Sequence, residues 1–203
     1  MSYKEIKRKW DKLTDGWFGL IIYIFLGYII AFGAIQLSGA VLQTSTPIVS
    51  VFSCSMEHAT NSLCTMSPQP TSPTYICGQN VVSYDNSFDS YWSVCGAWYT
   101  TNGYTKEDFN KWKFSNGFSV GDMLVVQRGE YKVGDIVVYQ SAMGYPIIHR
   151  VVKIEGDTLT TKGDRNSVPD QPISKSLVHG KTVLLLPALG WVKMIFTQVT
   201  GIV

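Results

Sequence analysis

No charged side chain occurs between Gly16 and Met56, and within that stretch Trp17 to Leu37 (WFGLIIYIFLGYIIAFGAIQL) is almost continuously apolar. Twenty-one residues at about 1.5 Å each reach roughly 31 Å, close to the roughly 30 Å hydrocarbon thickness of a bilayer. The run therefore predicts one membrane-spanning helix within residues 16–43. Ahead of it, Lys4, Lys7, Arg8, Lys9 and Lys12 outnumber Glu5, Asp11 and Asp15. The positive-inside rule then keeps residues 1–15 in the cytoplasm and puts everything after about residue 43 outside. Ser38-Gly39-Ala40 offers the small residues of a cleavage site, so a removed signal peptide is the competing reading. The apolar run exceeds the roughly 7 to 15 residues of a secretory core, which favours a permanent anchor.

The remainder has room for one sizeable domain, since the whole chain is 203 residues long. Charged residues make up 16% of it and the net charge is +2. Such a balance leaves no clustered basic face, so nucleic acid is not an expected partner. Thr46-Pro47 ends the helical stretch, and Ile48 to Met56 (IVSVFSCSM) has the β-branched and aromatic density of a strand leading into a site. Residues 59–120 turn to Ser, Thr, Asn, Pro and aromatic side chains and read as an inserted irregular subdomain. One short helix is predicted there in TKEDFNKW, where Thr105 followed by Asp108 resembles a capping box. Tyr91, Trp92, Trp98, Tyr99, Trp112 and Phe114 are expected to pack a small core rather than to touch lipid or substrate.

From Gly121 the pattern changes to short Val/Ile/Leu runs separated by Gly-Asp turns: DMLVVQRG, VGDIVVYQ, YPIIHRVVKIEGDTLTTKGD and GKTVLLLP. These are predicted strands joined by hairpins. The expected class is mainly β, a compact antiparallel β-sheet or barrel built from residues 44–58 and 121–187 behind the N-terminal transmembrane helix. Residues 188–203 are apolar apart from Lys193 and are expected to associate with the membrane, as a short second span or an interfacial helix. A final core strand with a tail is the alternative for that segment.

Cys54, Cys64, Cys77 and Cys95 all fall on the predicted outer side, where disulfides persist. One bridge among the last three with Cys54 free, or two bridges, both fit the spacing. His58 and Cys64 lack any C-x2-C companion, so no metal site is expected.

Three places carry reactive groups in turn-prone surroundings: Ser53-Cys54-Ser55-Met56, His149-Arg150-Val151, and Gly163-Asp164-Arg165-Asn166 with Asp170 six residues past Asp164. A serine hydroxyl is a poor nucleophile until a base takes its proton, and histidine is the side chain suited to that transfer near neutral pH. A carboxylate orients the imidazole and stabilises its protonated form, while donors near the serine hold the developing oxyanion. Ser53, two residues before Ser55, is a candidate donor. His58 is a rival base three residues from Ser55, and His179 has no evident partner and reads as structural.

In this order, behind an N-terminal anchor, these segments resemble type I signal peptidases. The resemblance rests on S-x-S-M at Ser53 to Met56, G-D-M-L-V-V at Gly121 to Val126, G-D-I-V-V-Y at Gly134 to Tyr139, H-R-V at His149 to Val151 and K-G-D-R-N at Lys162 to Asn166 with Asp170. Bacterial members use a lysine base, whereas archaeal members and those of the endoplasmic reticulum place a histidine there, as His149 does here. The resemblance to that branch implies Ser55 as nucleophile, His149 as general base, Asp170 as the first choice of orienting acid and Asp164 in support. Ser53 and Met56 fall on the oxyanion and substrate side. No metal or cofactor is implied. The implied partners are pre-proteins bearing signal peptides, the lipid bilayer and the protein-export channel. The family commonly has proline where His58 stands, and the long insertion is a second departure. A catalytically inactive, membrane-anchored binding subunit of an export complex is the alternative, and a third reading is a protease of soluble repressor-like proteins. The histidine-type motif in a chain without Asn-x-Ser/Thr leans archaeal.

Overall fold

The structure, a computed structural model, describes residues 2–59, 74–81 and 86–200. It divides into two compact units, residues 1–43 and 44–203. The first holds two helices. Helix α1 (Tyr3–Leu13) was expected only as a basic tail, but the Ser2 N–H donates to Glu5 Oε2 at 3.0 Å and so caps its first turn. Helix α2 (Gly16–Leu42) has 27 residues and a mean hydropathy of 2.4, and among its residues only Gly19 is buried. At about 1.5 Å per residue it reaches roughly 40 Å, long and apolar enough to cross a membrane. Gln43, in the left-handed conformation at φ 54°, ends it with its N–H on the Gly39 carbonyl.

The second unit is built on a seven-stranded sheet: β1 (Ile48–Ser50), β4 (Met123–Gln127), β5 (Ile136–Gln140), β6 (Pro146–Glu155), β7 (Thr158–Lys162), β8 (Ile173–Ser174) and β9 (Val178–Leu186). Strands β2 (Thr74–Ile76) and β3 (Gln79–Val81) form a separate hairpin. The spatial order of the large sheet is β1-β4-β9-β5-β6-β7-β8, and every pairing is antiparallel. Among the described residues β1 and β8 stay as edges, so the sheet is open and the barrel form of the expectation is not realised. Register shifts at Val125/Val126, Val138/Tyr139 and Val151/Lys153 bend the sheet as bulges do.

The sheet is covered on both faces, which is why Ile136 to Tyr139 form an unbroken buried run. Val49, Met56, Leu124, Val126, Ile136 and Val138 form one core cluster, while Val137, Tyr139, Val151, Leu159 and Val178 form another. Strand β1 is shorter than the run Ile48 to Met56 suggested. The Val51 N–H donates to the Asp122 carbonyl at 2.9 Å, and a turn then closes with the Glu57 N–H on the Cys54 carbonyl at 3.0 Å. The Gly-Asp turns have a specific cause. At Gly134, φ is +92° and a Cβ would lie 2.4 Å from the Trp112 ring, while Asp135 Oδ2 accepts from the Lys132 N–H at 2.9 Å.

The insertion is less irregular than its sequence suggested. Helix α3 (Phe88–Thr101) starts where Ser87 Oγ accepts from the Ser90 N–H at 3.1 Å, and it buries Tyr91, Cys95 and Tyr99 at i, i+4 and i+8. Helix α4 (Lys106–Lys111) has the expected capping box, with reciprocal Thr105 and Asp108 bonds of 3.1 Å. The aromatic side chains form a third cluster with Ile76, Tyr91, Tyr99, Phe109 and Val152 of β6, so this core rests on the sheet. Phe114 departs from the expected group and packs against the cluster around Phe118. Cys77 and Cys95 are bridged, tying the hairpin to α3. Cys54 is also disulfide-bonded, which removes the reading in which it is free; Cys64 lies outside the described residues. Helix α5 (Gly190–Thr200) follows β9. Its 11 described residues are helical, so they do not form the final core strand given as the alternative for that segment.

Candidate active site

The sharpest feature of the sheet is that β6 presents His149 and Arg150 side by side, and alternation sends them to opposite faces. His149 stands opposite Val137 and Arg150 opposite Ile136, so each shares a face with its cross-strand partner.

On the first face, His149 Nδ1 lies 2.6 Å from Asp170 Oδ2. The Asp170 N–H donates to the Thr161 carbonyl at 2.7 Å, which ties the loop to β7. The same Oδ2 accepts from Thr161 Oγ1 at 2.7 Å and from the Tyr139 hydroxyl at 3.1 Å. Burial opposes charge on Asp170, but the His149 bond and charge, then Thr161 and Tyr139, hold its pKa below the ordinary carboxylate value. Tyr139, pushed up to about 12 by burial, remains a donor. With Nδ1 facing a carboxylate, the other ring nitrogen of His149 is left as the acceptor. That Nε2 lies against Gly163, where a Cβ would fall 2.8 Å from it and 2.7 Å from Asn166 Nδ2.

Ser55 sits in the turn after β1. Its carbonyl accepts from the Arg165 N–H at 2.8 Å, which joins the serine turn to the turn at 163–166, itself closed by the Asn166 N–H on the Gly163 carbonyl at 2.9 Å. Ser53 Oγ is 3.3 Å from Ser55 Oγ. No hydrogen bond links Ser55 to His149 among the described residues, although both open on one cavity of about 600 Å³, together with Ser53 and Asn166. Ile48, Val49, Phe52, Ile147 and Ile148 make its walls largely apolar. A second cavity, of about 420 Å³, meets Ser55 from another side and is lined by Arg165, Asn166, Ser167 and Asp170. Met56 lines neither; it is 1% exposed in the core, and its Sδ lies 3.5 Å from the Asp164 N–H.

On the second face the groups are fully buried. Arg150 places all five of its N–H donors. Nε and Nη2 reach Asp164 Oδ1 at 2.9 Å and Oδ2 at 2.7 Å, and the others reach the carbonyls of Lys113, Gly134 and Phe114 at 3.1, 3.0 and 2.9 Å. Asp164 Oδ2 also meets His58 Nε2 at 3.0 Å, and Oδ1 accepts from the Tyr99 hydroxyl at 3.3 Å. Burial by itself would neutralise Asp164; Arg150, with help from His58, keeps it ionised far into acid. Asp164 therefore belongs to a structural network and makes no bond to His149. His58 is buried, stacked on Tyr91 with ring centroids 3.5 Å apart, and its pKa is lowered chiefly by burial. Neither cavity is lined by it.

Several members of the site were not singled out in the sequence. Tyr139 and Thr161 are buried strand residues and read in the sequence as ordinary members of β5 and β7. Lys162, the last residue of β7, is fully buried beside Trp98 and Tyr99, with Nζ 3.1 Å from the Gly163 carbonyl; burial lowers its pKa to about 8. The strand pattern and a lysine at the start of a turn were the only available signals. No group of three or more His, Cys, Asp or Glu able to hold a metal occurs among the described residues. His179 bonds Gln140 Oε1 at 3.1 Å, outside the site. No protein-family model matches the chain, and no curated protein matches it in sequence.

Proposed function

We propose that this chain is a membrane-anchored serine endopeptidase that removes signal peptides from exported pre-proteins, of the histidine-type branch of type I signal peptidases. The observation that carries the reading is the 2.6 Å bond between His149 and Asp170 on the wall of a cavity that also holds Ser55. In the proposed reaction His149 Nε2 accepts the Ser55 Oγ proton as the oxygen attacks the scissile carbonyl. Asp170 stabilises the resulting imidazolium, and the Ser53 hydroxyl donates to the oxyanion. Collapse breaks the peptide bond, His149 returns the proton to the leaving amine, and water activated by the same imidazole hydrolyses the acyl-enzyme. No residue in this scheme needs a metal or cofactor.

The apolar cavity suits the small and apolar residues that end a signal peptide, presented as an extended strand beside the open edge of β1. Helix α2 would hold the domain at the membrane, with residues 1–15 cytoplasmic and the β-rich unit outside, where pre-proteins leave an export channel. In this reading His58 takes the place of the family's proline and secures the loop after the serine through Asp164.

The pairing of Ser55 Oγ with Ser53 rather than with His149 favours the alternative, an inactive binding subunit, though catalytic bonds often tighten only around substrate. The test is cleavage of a pre-protein with an Ala-x-Ala site by the full-length protein in detergent or vesicles. Wild type is expected to cleave, and Ser55→Ala or His149→Ala to lose about 10⁴-fold or more. Wild-type cleavage that survives Ser55→Ala would overturn the mechanism, and a folded wild type that cleaves nothing would favour the binding subunit.

A further inference from the structure

Lys162 ends β7 with a side chain that is fully buried and that the reaction above does not use. It stands opposite Arg150 on β6, so two cations share one buried face of the sheet. Asp164 answers only one of them. Its oxygens take the Arg150 guanidinium, His58 and the Tyr99 hydroxyl. Among the described residues no carboxylate lies within ion-pair distance of Lys162 Nζ. Nζ holds the Gly163 carbonyl at 3.1 Å instead, with the ring centroids of Trp98 and Tyr99 at 5.2 and 4.9 Å. An ammonium buried without a counter-ion costs the fold far more than an apolar side chain of the same shape. Burial lowers its pKa to about 8, so it still carries its charge at pH 7. Stability therefore gives no reason for a lysine here, and its one hydrogen bond does.

The Gly163 carbonyl opens the turn that touches both halves of the site. Its oxygen accepts from Lys162 Nζ and from the Asn166 N–H at 2.9 Å. The same peptide ends in the Asp164 N–H, 3.5 Å from the Sδ of Met56, the residue after Ser55. Gly163 also lies so close to His149 that a Cβ would fall 2.8 Å from Nε2. With no side chain to wedge it, a glycine backbone takes its direction from what its carbonyl bonds. The charged donor is the stronger of the two and pulls the oxygen toward the Arg150 side of the sheet, which leaves the Gly163 backbone against the imidazole.

On the peptidase reading above, we propose that Lys162 is a positioning residue: its bond to the Gly163 carbonyl fixes the backbone that lies against His149 Nε2 and so sets the imidazole for proton transfer from Ser55. Neither cavity is lined by Lys162, so it acts on that transfer and not on substrate binding. Lys162→Met keeps most of the length and the contact with the two rings while removing the donor. In the pre-protein cleavage assay with full-length protein, kcat should fall roughly 10- to 100-fold, as displacement of a reacting group does, and KM should stay within about twofold of wild type. In the same preparation the melting temperature should rise by about 2–8 °C, because a buried charge is gone. A residue that merely supports the fold would lose activity and stability together. Wild-type kcat in Lys162→Met, a loss confined to KM, or a loss of activity accompanied by a lower melting temperature would each overturn the assignment while wild-type cleavage leaves the peptidase reading standing. A wild type that cleaves nothing would overturn that reading and this proposal with it.

Discussion

Replacing Asp164 by Asn separates the two aspartates that the sequence left in competition. Arg150 is 0% exposed and sends two of its five donors to the Asp164 carboxylate. Asn offers one acceptor oxygen and turns an amide N–H₂ toward the guanidinium, so a buried charge loses its counter-ion while its three carbonyl contacts stay. Breaking a buried pair from one side costs about 3–5 kcal/mol, against a total stability of about 5–15 kcal/mol. At about 2–4 °C per kcal/mol for a unit of this size, the melting temperature should fall by roughly 6–20 °C. Asp170, whose side chain is 24% exposed, should behave in the opposite way. Asp170→Asn is expected to change stability by about 1 kcal/mol or less yet lower cleavage by about 10⁴-fold, because the imidazole loses its orienting anion. The assay is thermal unfolding of the full-length protein in detergent, followed by tryptophan fluorescence; Trp112 lies 5.8 Å from the Arg150 guanidinium and reports on the network directly. An Asp164→Asn protein that melts within about 2 °C of wild type would refute the reasoning.

Gly163→Ala places a methyl group 2.8 Å from His149 Nε2; it should cost about 1–3 kcal/mol in chemical denaturation and lose most cleavage activity. His58 has a folded pKa lowered from 6.5, so below that pH the unfolded chain binds a proton that the folded one does not. Stability should be full above about pH 6.5 and fall by up to about 1.4 kcal/mol per pH unit between roughly 6.5 and 5, before the carboxylates titrate; His58→Gln should flatten that slope in urea titrations. Lys162 has its pKa lowered from 10.5 to about 8, so its charged form is a burden on the fold that is present below pH 8 and relieved as pH rises toward 10.5. Lys162→Met should therefore raise stability at pH 7 by about 1–2 kcal/mol in the same titrations. Replacing Cys77 and Cys95, 18 residues apart, by serine should cost about 3 kcal/mol, read as a shifted denaturation midpoint. The Cys77 N–H holds the Arg165 carbonyl, so cleavage should weaken as well.

Local periodicity made most of the sheet legible. Met123–Gln127, Ile136–Gln140, Pro146–Glu155 and Thr158–Lys162 fall within segments whose alternation and Gly-Asp turns mark strands, and Val178–Leu186 overlaps GKTVLLLP from Gly180 onward. The two-residue strand Ile173–Ser174 was too short to carry a period. Helix α3 was missed because its sequence, FDSYWSVCGAWYTT, mixes aromatic, serine and glycine residues with low helix preference, and only burial of Tyr91, Cys95 and Tyr99 on one stripe makes it a helix. Phe114 was grouped with the wrong core because composition shows how many rings there are, not where each one packs.

The sequence alone determined the apolar helix and the longer strands of the large sheet, because a 27-residue run with no charge and a repeat of two are properties of neighbours along the chain. It also brought forward Ser55, His149, Asp164 and Asp170 as candidate site residues. Which aspartate meets His149 was decided by tertiary structure. His149 and Arg150 occupy consecutive positions on β6 and so face opposite sides of the sheet, one toward Asp170 and the other toward Asp164. Only the pairing of β6 with β5 and β7, which fixes what lies on each side, could assign one carboxylate to the histidine and the other to a buried arginine.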